Sequence, residues 1–262
     1  MREKYALVTG GSSGIGYSLA QLLACDGYQI FLAALGDEKL VEAQKELEGD
    51  YGVEVLPIAV DLREREAPFQ IYQQTEGSGY ALDVLINCAG FGTYGGFEQL
   101  EPKRDYDLVL VNCGALIALT RLIYPQMLER GSGRILNMSS TVGLQPTPYM
   151  AVYSASKAFV STFSLSLSFE ARKTGGAVSV TTVYPYATRT RFAEAANMVG
   201  HRLFNNIFTL EPEKVAAAAY RAMLAGRERL VLPRIGSLVF DGLYRLMPIR
   251  SRMALVKWGM RT

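Results

Sequence analysis

The chain has 262 residues, of which 49% are hydrophobic and 20% are charged, and its net charge is +2. This length suits one large α/β domain or two small ones, and the composition is typical of a globular protein. The near-balance of charge argues against a nucleic-acid-binding protein, which would need a broad basic surface. The first residues do not fit a signal peptide, and we expect no apolar run long enough to span a bilayer.

Three cysteines, Cys25, Cys88 and Cys113, are scattered along the chain without the spacing of a zinc site. An odd and unpatterned set is typical of reduced thiols in a cytosolic protein. We therefore expect a cytoplasmic protein without a metal site.

The first part of the chain predicts a strand, a glycine-rich loop and a helix. An apolar run at 5–9 precedes Gly10, Gly14 and Gly16, and leucines at helical spacing follow within 17–25. In this context backbone N–H groups and the start of a helix can bind a diphosphate. Gly10 would permit the turn, Gly14 would let the backbone approach phosphate, and Gly16 would let the helix pack on the strand. The spacing is G-x-x-x-G-x-G and not G-x-G-x-x-G, so a simple turn stays open.

Residues 10–14 also match G-x-S-x-G, the nucleophile elbow of an α/β-hydrolase. That chemistry needs a histidine base, and the only histidine, His201, lies in a polar and aromatic stretch. The elbow would also follow the first strand, with no earlier strands to form the sheet around it. A serine hydrolase is therefore an alternative that the sequence disfavours.

Two further strands are predicted at 28–34 and 53–60, each followed by a helix. An acid at the end of the second strand would bind the ribose of NAD, and an arginine there would suit NADP. The chain has Leu35 there, followed by Asp37, which could reach the ribose or cap the next helix. Asp61 follows the third strand, where it could meet an adenine ring or cap a helix. The cofactor choice stays open between NAD and NADP.

The middle of the chain predicts two strands with a long helix between them. The fourth strand, 82–86, runs into Asn87-Cys88-Ala89-Gly90, whose small residues would let the chain pass close to a flat ligand. A helix over 102–130 has Asn112 in its apolar middle, and asparagine is a weak helix former. We therefore expect Asn112 to make buried hydrogen bonds. The fifth strand, 134–138, ends next to Ser140.

A helix over 151–172 would place Tyr153 and Lys157 one turn apart on the same face. Its second half alternates apolar residues with serines, as a strand would, but we predict one helix. The pKa of a phenol is ordinarily about 10, and an ammonium beside it would lower this pKa toward the range useful for acid–base catalysis. Ser140 could hold the oxygen that gains or loses the proton. We predict a proton-transfer site.

The last third of the chain predicts a sixth strand at 178–183, a helix at 212–225 and a strand at 230–232. The segment between the sixth strand and this helix predicts a lid over an apolar compound, with ordinary packing as the alternative. The residues of this predicted lid are Tyr186, Phe192, Met198, Phe204 and Phe208. From residue 237 the tail holds five bases and one acid. We expect a solvated surface helix there, with subunit contact or membrane attachment as alternatives.

Repeated strand–helix alternation predicts a doubly wound parallel sheet of about seven strands, with helices on both faces. No linker divides the chain, so we predict a single Rossmann-type domain over 1–262, with its core at about 5–232. Ligands bind beyond the carboxyl ends of such strands. The glycine loop, Asn87, Ser140 and Pro185 all follow strands in this way.

These motifs resemble those of the short-chain dehydrogenase/reductase family. Residues 9–16 are similar to its cofactor motif, 87–90 to its NAG motif, and Ser140, Tyr153 and Lys157 fall at its catalytic spacing, with Asn112 as the fourth member. The resemblance implies hydride transfer to or from a nicotinamide. It also implies that Lys157 binds the nicotinamide ribose and that Asn112 helps to hold a water in a proton relay.

The resemblance implies a set of cofactor-binding residues at the strand ends. These are Gly10, Ser12, Ser13, Gly14, Ile15, Gly16, Asp61, Leu62, Asn87, Ala89, Gly90, Tyr153, Lys157, Pro185, Tyr186, Thr188 and Thr190. Pro185-Tyr186 departs from the family's usual Pro-Gly, so the shape of the substrate pocket cannot be carried over.

The sequence thus predicts an NAD(P)-dependent oxidoreductase that interconverts a carbonyl and a secondary alcohol, with Tyr153 as acid or base. A non-catalytic NAD(P)-binding regulator is the alternative. The expected partner is a small-molecule carbonyl or alcohol, without nucleic acid, a metal or a transmembrane segment. We expect a homo-dimer or homo-tetramer.

Overall fold

A computed structural model describes residues 2–173, 175, 178–198, 200–204, 208–233 and 247–259. Its strands are β1 Lys4–Thr9, β2 Tyr28–Ala34, β3 Val55–Ala59, β4 Leu82–Asn87, β5 Gly133–Met138, β6 Val178–Pro185 and β7 Arg229–Leu232. Its α-helices are α1 Gly14–Cys25, α2 Glu38–Tyr51, α3 Ala67–Gln74, α4 Pro102–Val109, α5 Leu116–Arg130, α6 Ala151–Lys173, α7 Phe192–Ala195, α8 Pro212–Leu224 and α9 Ile249–Gly259.

The strands form one parallel sheet in the order β3-β2-β1-β4-β5-β6-β7. Thr9 of β1 is in register with Ala33 of β2 on one side and with Asn87 of β4 on the other. The strand order reverses between β1 and β4, which opens a crevice beyond their carboxyl ends. The predicted doubly wound parallel sheet of seven strands is confirmed.

Helices cover both faces of the sheet because the strands are apolar on both sides. Ala6 and Val8 face a core shared with α1, α2 and α8, whereas Leu7 between them faces a core shared with α3 and α5. Successive side chains of a strand point to opposite faces, so an apolar run such as 6–8 supplies both cores. This packing fixes the strand ends that carry the site.

The helix predicted over 102–130 is interrupted by a π-turn, Leu110–Ala115, between α4 and α5. A π-turn is common at functional sites. Asn112 lies within it and is buried, as expected for an asparagine that makes internal hydrogen bonds.

The expectation that no apolar run could span a bilayer is corrected by this same stretch. Among the described residues, Pro102–Arg130 is one helix that is long and apolar enough by length and composition, and 44% of its most apolar window is buried in the protein. Leu119, Ile123 and Met127 contribute that burial against the sheet. We interpret the stretch as a core helix, since a core helix meets the same criteria.

Helix α6 is continuous, as predicted, and its serines explain the strand-like pattern. Ser161, Ser164 and Ser168 are buried, whereas Leu165 and Phe169 are exposed. The Ser164 hydroxyl accepts from Asn137 Nδ2 at 2.8 Å. The apolar and polar faces are therefore reversed relative to an ordinary surface helix.

Candidate active site

A cavity of about 770 Å³ lies beyond the carboxyl ends of the strands. The predicted cofactor residues that line it are Gly10, Ser12, Ser13, Gly14, Ile15, Gly16, Asp61, Leu62, Ala89, Gly90, Tyr153, Lys157, Pro185, Tyr186, Thr188 and Thr190. Ser140 also lines it, whereas Asn87 and Asn112 do not. The topology thus brings most of the predicted site to one edge of the sheet, and the roles of these residues stay predictions.

The glycine loop is pressed against neighbouring backbone, which explains its composition. A Cβ on Gly10, whose φ is +66°, would lie 2.9 Å from Ala89 Cα. A Cβ on Gly16 would lie 2.2 Å from the Gly10 carbonyl oxygen, and one on Gly14 would lie 3.0 Å from Thr190 Cγ2. Helix α1 begins at Gly14, so its first N–H groups face the cavity, where they can meet an anion.

The ends of β2 and β3 form the far end of the cavity, away from Tyr153. Asp37 caps α2 by accepting from Leu40 N at 3.3 Å, as one of the two interpretations predicted. Asp61 caps no helix, because α3 begins only at Ala67. The Asp61 carboxylate instead accepts from Arg63 Nε at 2.9 and 3.0 Å, and this hydrogen bond lowers the pKa of Asp61.

Asn87 lies behind the cavity and acts within the sheet. Its amide donates to Asn137 Oδ1 at 2.8 Å and to Thr120 Oγ1 at 3.3 Å. The N–H groups of Cys88 and Ala89 donate to Thr9 Oγ1 at 3.1 and 3.2 Å. These bonds fix the backbone of the Asn87-Cys88-Ala89-Gly90 motif, so only its last three residues reach the cavity.

Tyr153 and Lys157 share one face of α6, as the i, i+4 spacing predicts. The Lys157 Nζ lies 5.9 Å from the centroid of the Tyr153 ring and donates to the Met138 carbonyl oxygen at 2.9 Å. The Ser140 side chain lies close enough to the Tyr153 hydroxyl to lower its pKa, and its own Oγ donates to the Pro185 carbonyl oxygen at 3.4 Å. Ser140 follows β5, so the strand end and the helix present their three functional groups together.

The expected lowering of the Tyr153 pKa is wrong for this state of the protein. Burial raises the pKa of Tyr153 well above its ordinary value, and the nearby Ser140 side chain opposes that effect only in part. Burial also lowers the pKa of Lys157, to about 8. The phenol therefore holds its proton at neutral pH, because burial disfavours the charged phenolate.

Asn112 supports this site from behind the cavity. Its Nδ2 donates to the Phe91 carbonyl oxygen and to Ser156 Oγ, both at 3.0 Å, and its Oδ1 accepts from Phe91 N at 3.1 Å. A Cβ on Gly90 would lie 2.8 Å from Asn112 Oδ1 and 3.3 Å from Lys157 Nζ. Asn112 thus holds the chain after β4 close to Lys157.

Aromatic and apolar side chains enclose the end of the cavity that holds Tyr153. The ring of Phe192 lies 5.0 Å from that of Tyr153, and a Cβ on Gly92 would lie 2.4 Å from Phe192 Cζ. Of the predicted lid residues, Phe208 does not line the cavity, whereas the other four do. We call the apolar cluster around Tyr153 the aromatic chamber. Its members are Leu108, Met150, Tyr153, Ala196 and Met198, packed against Phe91, Tyr94, Val142, Val152, Phe192, Phe204 and Val256.

Several cavity residues were missed because nothing local in the sequence marks them. They are Arg63, Phe91, Arg104, Val142 and Met150. They reach the cavity only because strand ends and helices meet there in three dimensions. Arg63 alone could have been found from the sequence, because it lies two residues after Asp61, a predicted cofactor residue, and carries the opposite charge.

The structure gives no support to a hydrolase or to a nucleophilic cysteine. His201 packs edge-to-face on Tyr94 with 5.1 Å between ring centroids, and the described residues that line the cavity with Ser12 include no histidine. Cys88 lines the cavity, but burial raises the pKa of its thiol to about 12. A protonated thiol is a poor nucleophile.

The comparison with protein families decides the classification. The model described as short chain dehydrogenase matches residues 4–198. The chain belongs to the short-chain dehydrogenase family. Among curated members, it is 37% identical over 197 residues to a very-long-chain 3-oxoacyl-CoA reductase from Anas platyrhynchos and 37% identical over 198 residues to one from Bos taurus. The alignments cover 72% and 73% of this chain, and it spans 61% of each relative's length.

Solved structures of the short-chain dehydrogenase family match nearly the whole chain. A short-chain dehydrogenase from Sphingobium yanoikuyae in complex with NADPH is 28% identical, with a TM-score of 0.83 and coverage of 97% of this chain and 95% of that one. L-Sorbose reductase from Gluconobacter frateurii, complexed with NADPH and L-sorbose, is 25% identical, with a TM-score of 0.74 and coverage of 88% and 95%.

Proposed function

We propose that the protein is an NAD(P)H-dependent reductase that converts the carbonyl of a bulky apolar substrate into a secondary alcohol. The observation that carries this proposal is the shared face of α6, where Tyr153 lies next to Lys157 Nζ and the Ser140 side chain is close enough to lower the pKa of the phenol. That group lies in the same cavity as the glycine loop at the start of α1. A proton donor and a diphosphate site therefore share one cavity.

The residues of the cavity fit a nicotinamide dinucleotide. The close packing of Gly10 and Gly16 and the exposed N-terminus of α1 suit a diphosphate, and the β2 and β3 ends suit an adenosine. When bound, the cofactor supplies the hydride. Two structural relatives bind NADPH, which makes NADPH the first cofactor to test.

In the proposed reaction, Tyr153 donates its proton to the carbonyl oxygen as the carbonyl carbon gains a hydride, so that C=O becomes CH–OH. The Ser140 hydroxyl holds that oxygen. The Lys157 ammonium stabilises the phenolate left behind. Because burial raises the pKa of Tyr153, the phenol carries its proton at neutral pH, which is the form that reduction of a carbonyl needs.

The aromatic chamber supports an apolar substrate. Phe192, Met198 and Phe204 face the cavity from the segment after β6, and Phe91 and Met150 face it from the loops after β4 and β5. The curated relatives are named as reductases of very-long-chain 3-oxoacyl-CoA. We therefore propose a 3-oxoacyl chain as the substrate class to test first.

The test measures NADPH and NADH oxidation with a panel of carbonyl compounds. The panel contains 3-oxoacyl-CoA of increasing chain length, bulky ketones and a small polar ketose. We expect kcat/KM to rise with chain length. A preference for the ketose would contradict the apolar substrate. Cofactor binding without turnover on any member would favour the regulator, and absence of cofactor binding would overturn the proposal.

Two properties of the whole protein are also proposals. The exposed apolar face of α6, with Phe159, Leu165 and Phe169, supports a homo-dimer or homo-tetramer. The free thiols of Cys25, Cys88 and Cys113 support a cytoplasmic location. Light scattering of the purified protein and fractionation of cells test these two proposals separately.

A further inference from the structure

Arg104 is a half-buried cation at the rim of the aromatic chamber, and it lines the cavity. Its guanidinium carbon lies 5.9 Å from the centroid of the Phe91 ring, and Phe91 packs against the chamber. Its Nη2 donates to the carbonyl oxygen of Ala195, the last residue of α7. The Tyr153 ring packs on Phe192, the first residue of the same helix. The guanidinium and the phenol therefore flank one short helix.

The Arg104 guanidinium has N–H groups that no described residue uses. The bond to the end of α7 is the only hydrogen bond of its side chain among the described residues, and a guanidinium has several further donors. The acids that follow it on α4 are engaged elsewhere. Asp105 accepts from Thr93 Oγ1 at 2.9 Å. Asp107 pairs with Lys103 Nζ at 2.9 Å. Arg104 thus has no ion-pair partner in the part of the chain that the structure describes.

The other charges that line the cavity leave this rim positive. At the far end of the cavity, Asp61 and Arg63 pair with each other. Arg191, which directly precedes α7, is exposed and lines the cavity, and it pairs with no described carboxylate. Glu101 is also exposed and lines the cavity, one turn before Arg104. Two bases and one acid are therefore available at the rim, and only Arg104 of the three is held against the chamber.

We propose that Arg104 binds an oxyanion of the substrate, a carboxylate or a phosphate, while the apolar part of the substrate fills the aromatic chamber. This inference rests on the proposed reductase function and narrows its substrates to ketones that carry an anionic group. The planar fork of a guanidinium matches either oxyanion. The Phe91 ring and the Ala195 carbonyl oxygen already hold this fork, so little side-chain freedom is lost when the anion binds.

The experiment compares anionic substrates with neutral partners that have the same acyl chain. A long-chain oxo acid is paired with its methyl ester, and a 3-oxoacyl-CoA with its N-acetylcysteamine thioester, so carboxylate and phosphate are distinguished. Arg104→Gln removes the charge and keeps a donor for the Ala195 carbonyl oxygen. In this variant we expect kcat/KM to fall by about tenfold or more for the anionic member of at least one pair and to change little for its neutral partner. Arg104→Lys keeps the charge without the fork and should fall between.

The matched control is Arg227→Gln, which removes an exposed base just before β7, at the edge of the sheet opposite the cavity. It should leave all four rates unchanged. Equal losses for the anionic and the neutral substrates in Arg104→Gln would show a structural role only and overturn the proposal. So would a loss of NADPH affinity without a loss of substrate affinity, or a wild type that does not prefer the anionic member of either pair.

Two readouts separate this inference from the proposed reductase function. Turnover of the neutral ester tests the reductase activity by itself. Calorimetric titration of the oxo acid and of its ester into wild type and Arg104→Gln repeats the comparison without turnover. A protein that turns over neither substrate but binds the acid through Arg104 would contradict the reductase function and retain the anion site.

Discussion

Tyr153 is buried and has its ring 5.0 Å from that of Phe192, so the phenol is shielded from water on the side of the chamber. Shielding raises its pKa, and the same burial lowers the pKa of Lys157 to about 8. Both shifts have one cause, the loss of water around a group that would carry charge. Next to Lys157, the Tyr153 phenol therefore keeps the proton that it would donate to a carbonyl oxygen.

Replacing Tyr153 by Phe should abolish turnover while cofactor binding persists. The loss of a general acid lowers kcat by about 10²–10⁴-fold, and the ring that packs on Phe192 is retained. NADPH fluorescence titration and steady-state rates measure the two effects. Tyr149→Phe removes an exposed hydroxyl nearby and should keep full activity. Wild-type turnover in Tyr153→Phe would contradict the assigned role.

The lowered pKa of Lys157 predicts a pH-dependent stability of the cofactor-free protein. The unfolded chain binds this proton up to about pH 10.5 and the folded chain only up to about pH 8, so folding gains stability as the pH rises between these values. From pH 8 to about 9.5 Lys157 alone contributes a gain of about 1–2 kcal/mol. Cys88, Cys113 and the buried tyrosines oppose it, because their pKa values are raised in the folded chain, so the gain is read as the difference between wild type and Lys157→Met. Denaturant unfolding at both pH values measures it.

In Lys157→Met the gain should disappear, because the group that titrates is gone. Lys39→Met, on the exposed side of α2, should retain the gain. A wild-type protein whose free energy of unfolding falls relative to Lys157→Met over this range would contradict the prediction.

Local spacing predicted the Tyr153–Lys157 pair and the buried role of Asn112 because helix periodicity places residues on known faces. It did not place Asn87, because pairing of β4 with β5 brings Asn137 next to its amide. Local spacing also did not predict that the pKa of Tyr153 is raised, because the burial of Tyr153 depends on Phe192, which is distant in the chain.

Among the elements, α6 shows why pattern and structure can differ. Ser161 and Ser164 face inward, where β5 and β6 offer polar partners: Asn137 Nδ2 donates to Ser164 Oγ, and the Tyr184 hydroxyl lies 2.7 Å from Ser161 Oγ. Helix α6 was predicted correctly, but the spacing of its apolar residues did not predict which of its faces is buried. A row of buried serines can be recognised as a packing face only when the strands that hydrogen-bond to it are known.

Ser164→Ala should destabilise the protein by about 1–3 kcal/mol, because the buried Asn137 Nδ2 loses its acceptor. Thermal or denaturant unfolding measures the change. Ser166→Ala, two residues on and exposed, is the matched control and should stay within about 0.5 kcal/mol of wild type. Equal losses of stability at Ser164 and Ser166 would contradict the proposed role of the buried hydrogen bond between Asn137 and Ser164.

The close approach of Phe192 to Gly92 predicts an effect of a Gly92 substitution on substrate binding. A methyl group on Gly92 would lie 2.4 Å from Phe192 Cζ, so Gly92→Ala should displace the Phe192 ring. We expect KM for long-chain substrates to change with little change in NADPH affinity. Adding Phe192→Ala to Gly92→Ala should relieve the clash and partly restore KM. Additive losses in the double variant would contradict direct contact.

For the whole molecule, strand–helix alternation along the chain was enough to predict the parallel sheet and the edge at which ligands bind. The shape of the cavity was not predictable, because residues such as Arg63, Phe91 and Met150 meet there only after folding. Arg104 contacts the Ala195 carbonyl oxygen across 91 residues of chain, and no local pattern encodes such a contact.

Cofactor binding should raise the thermal stability of the whole domain, because the cavity joins the ends of six strands. A ligand at about 100 times its Kd adds about 2.7 kcal/mol to the free energy of unfolding. Thermal melts with equal concentrations of NADPH and NADH measure which cofactor binds more tightly. Gly16→Ala, whose Cβ would lie 2.2 Å from the Gly10 carbonyl oxygen, should lose this ligand-dependent shift. A melt that neither cofactor moves would contradict a dinucleotide site.

The π-turn at Leu110–Ala115 sets the angular phase between the two halves of the long helical stretch. Before it, Leu108 points into the aromatic chamber, and after it Leu119 and Ile123 point into the sheet core. Each helical residue turns the chain by about 100°. Deleting one residue here would prevent Asn112 from reaching its hydrogen-bond partners while Leu119 still faces the sheet core. At positions other than Asn112, this segment should therefore tolerate substitutions far better than deletions.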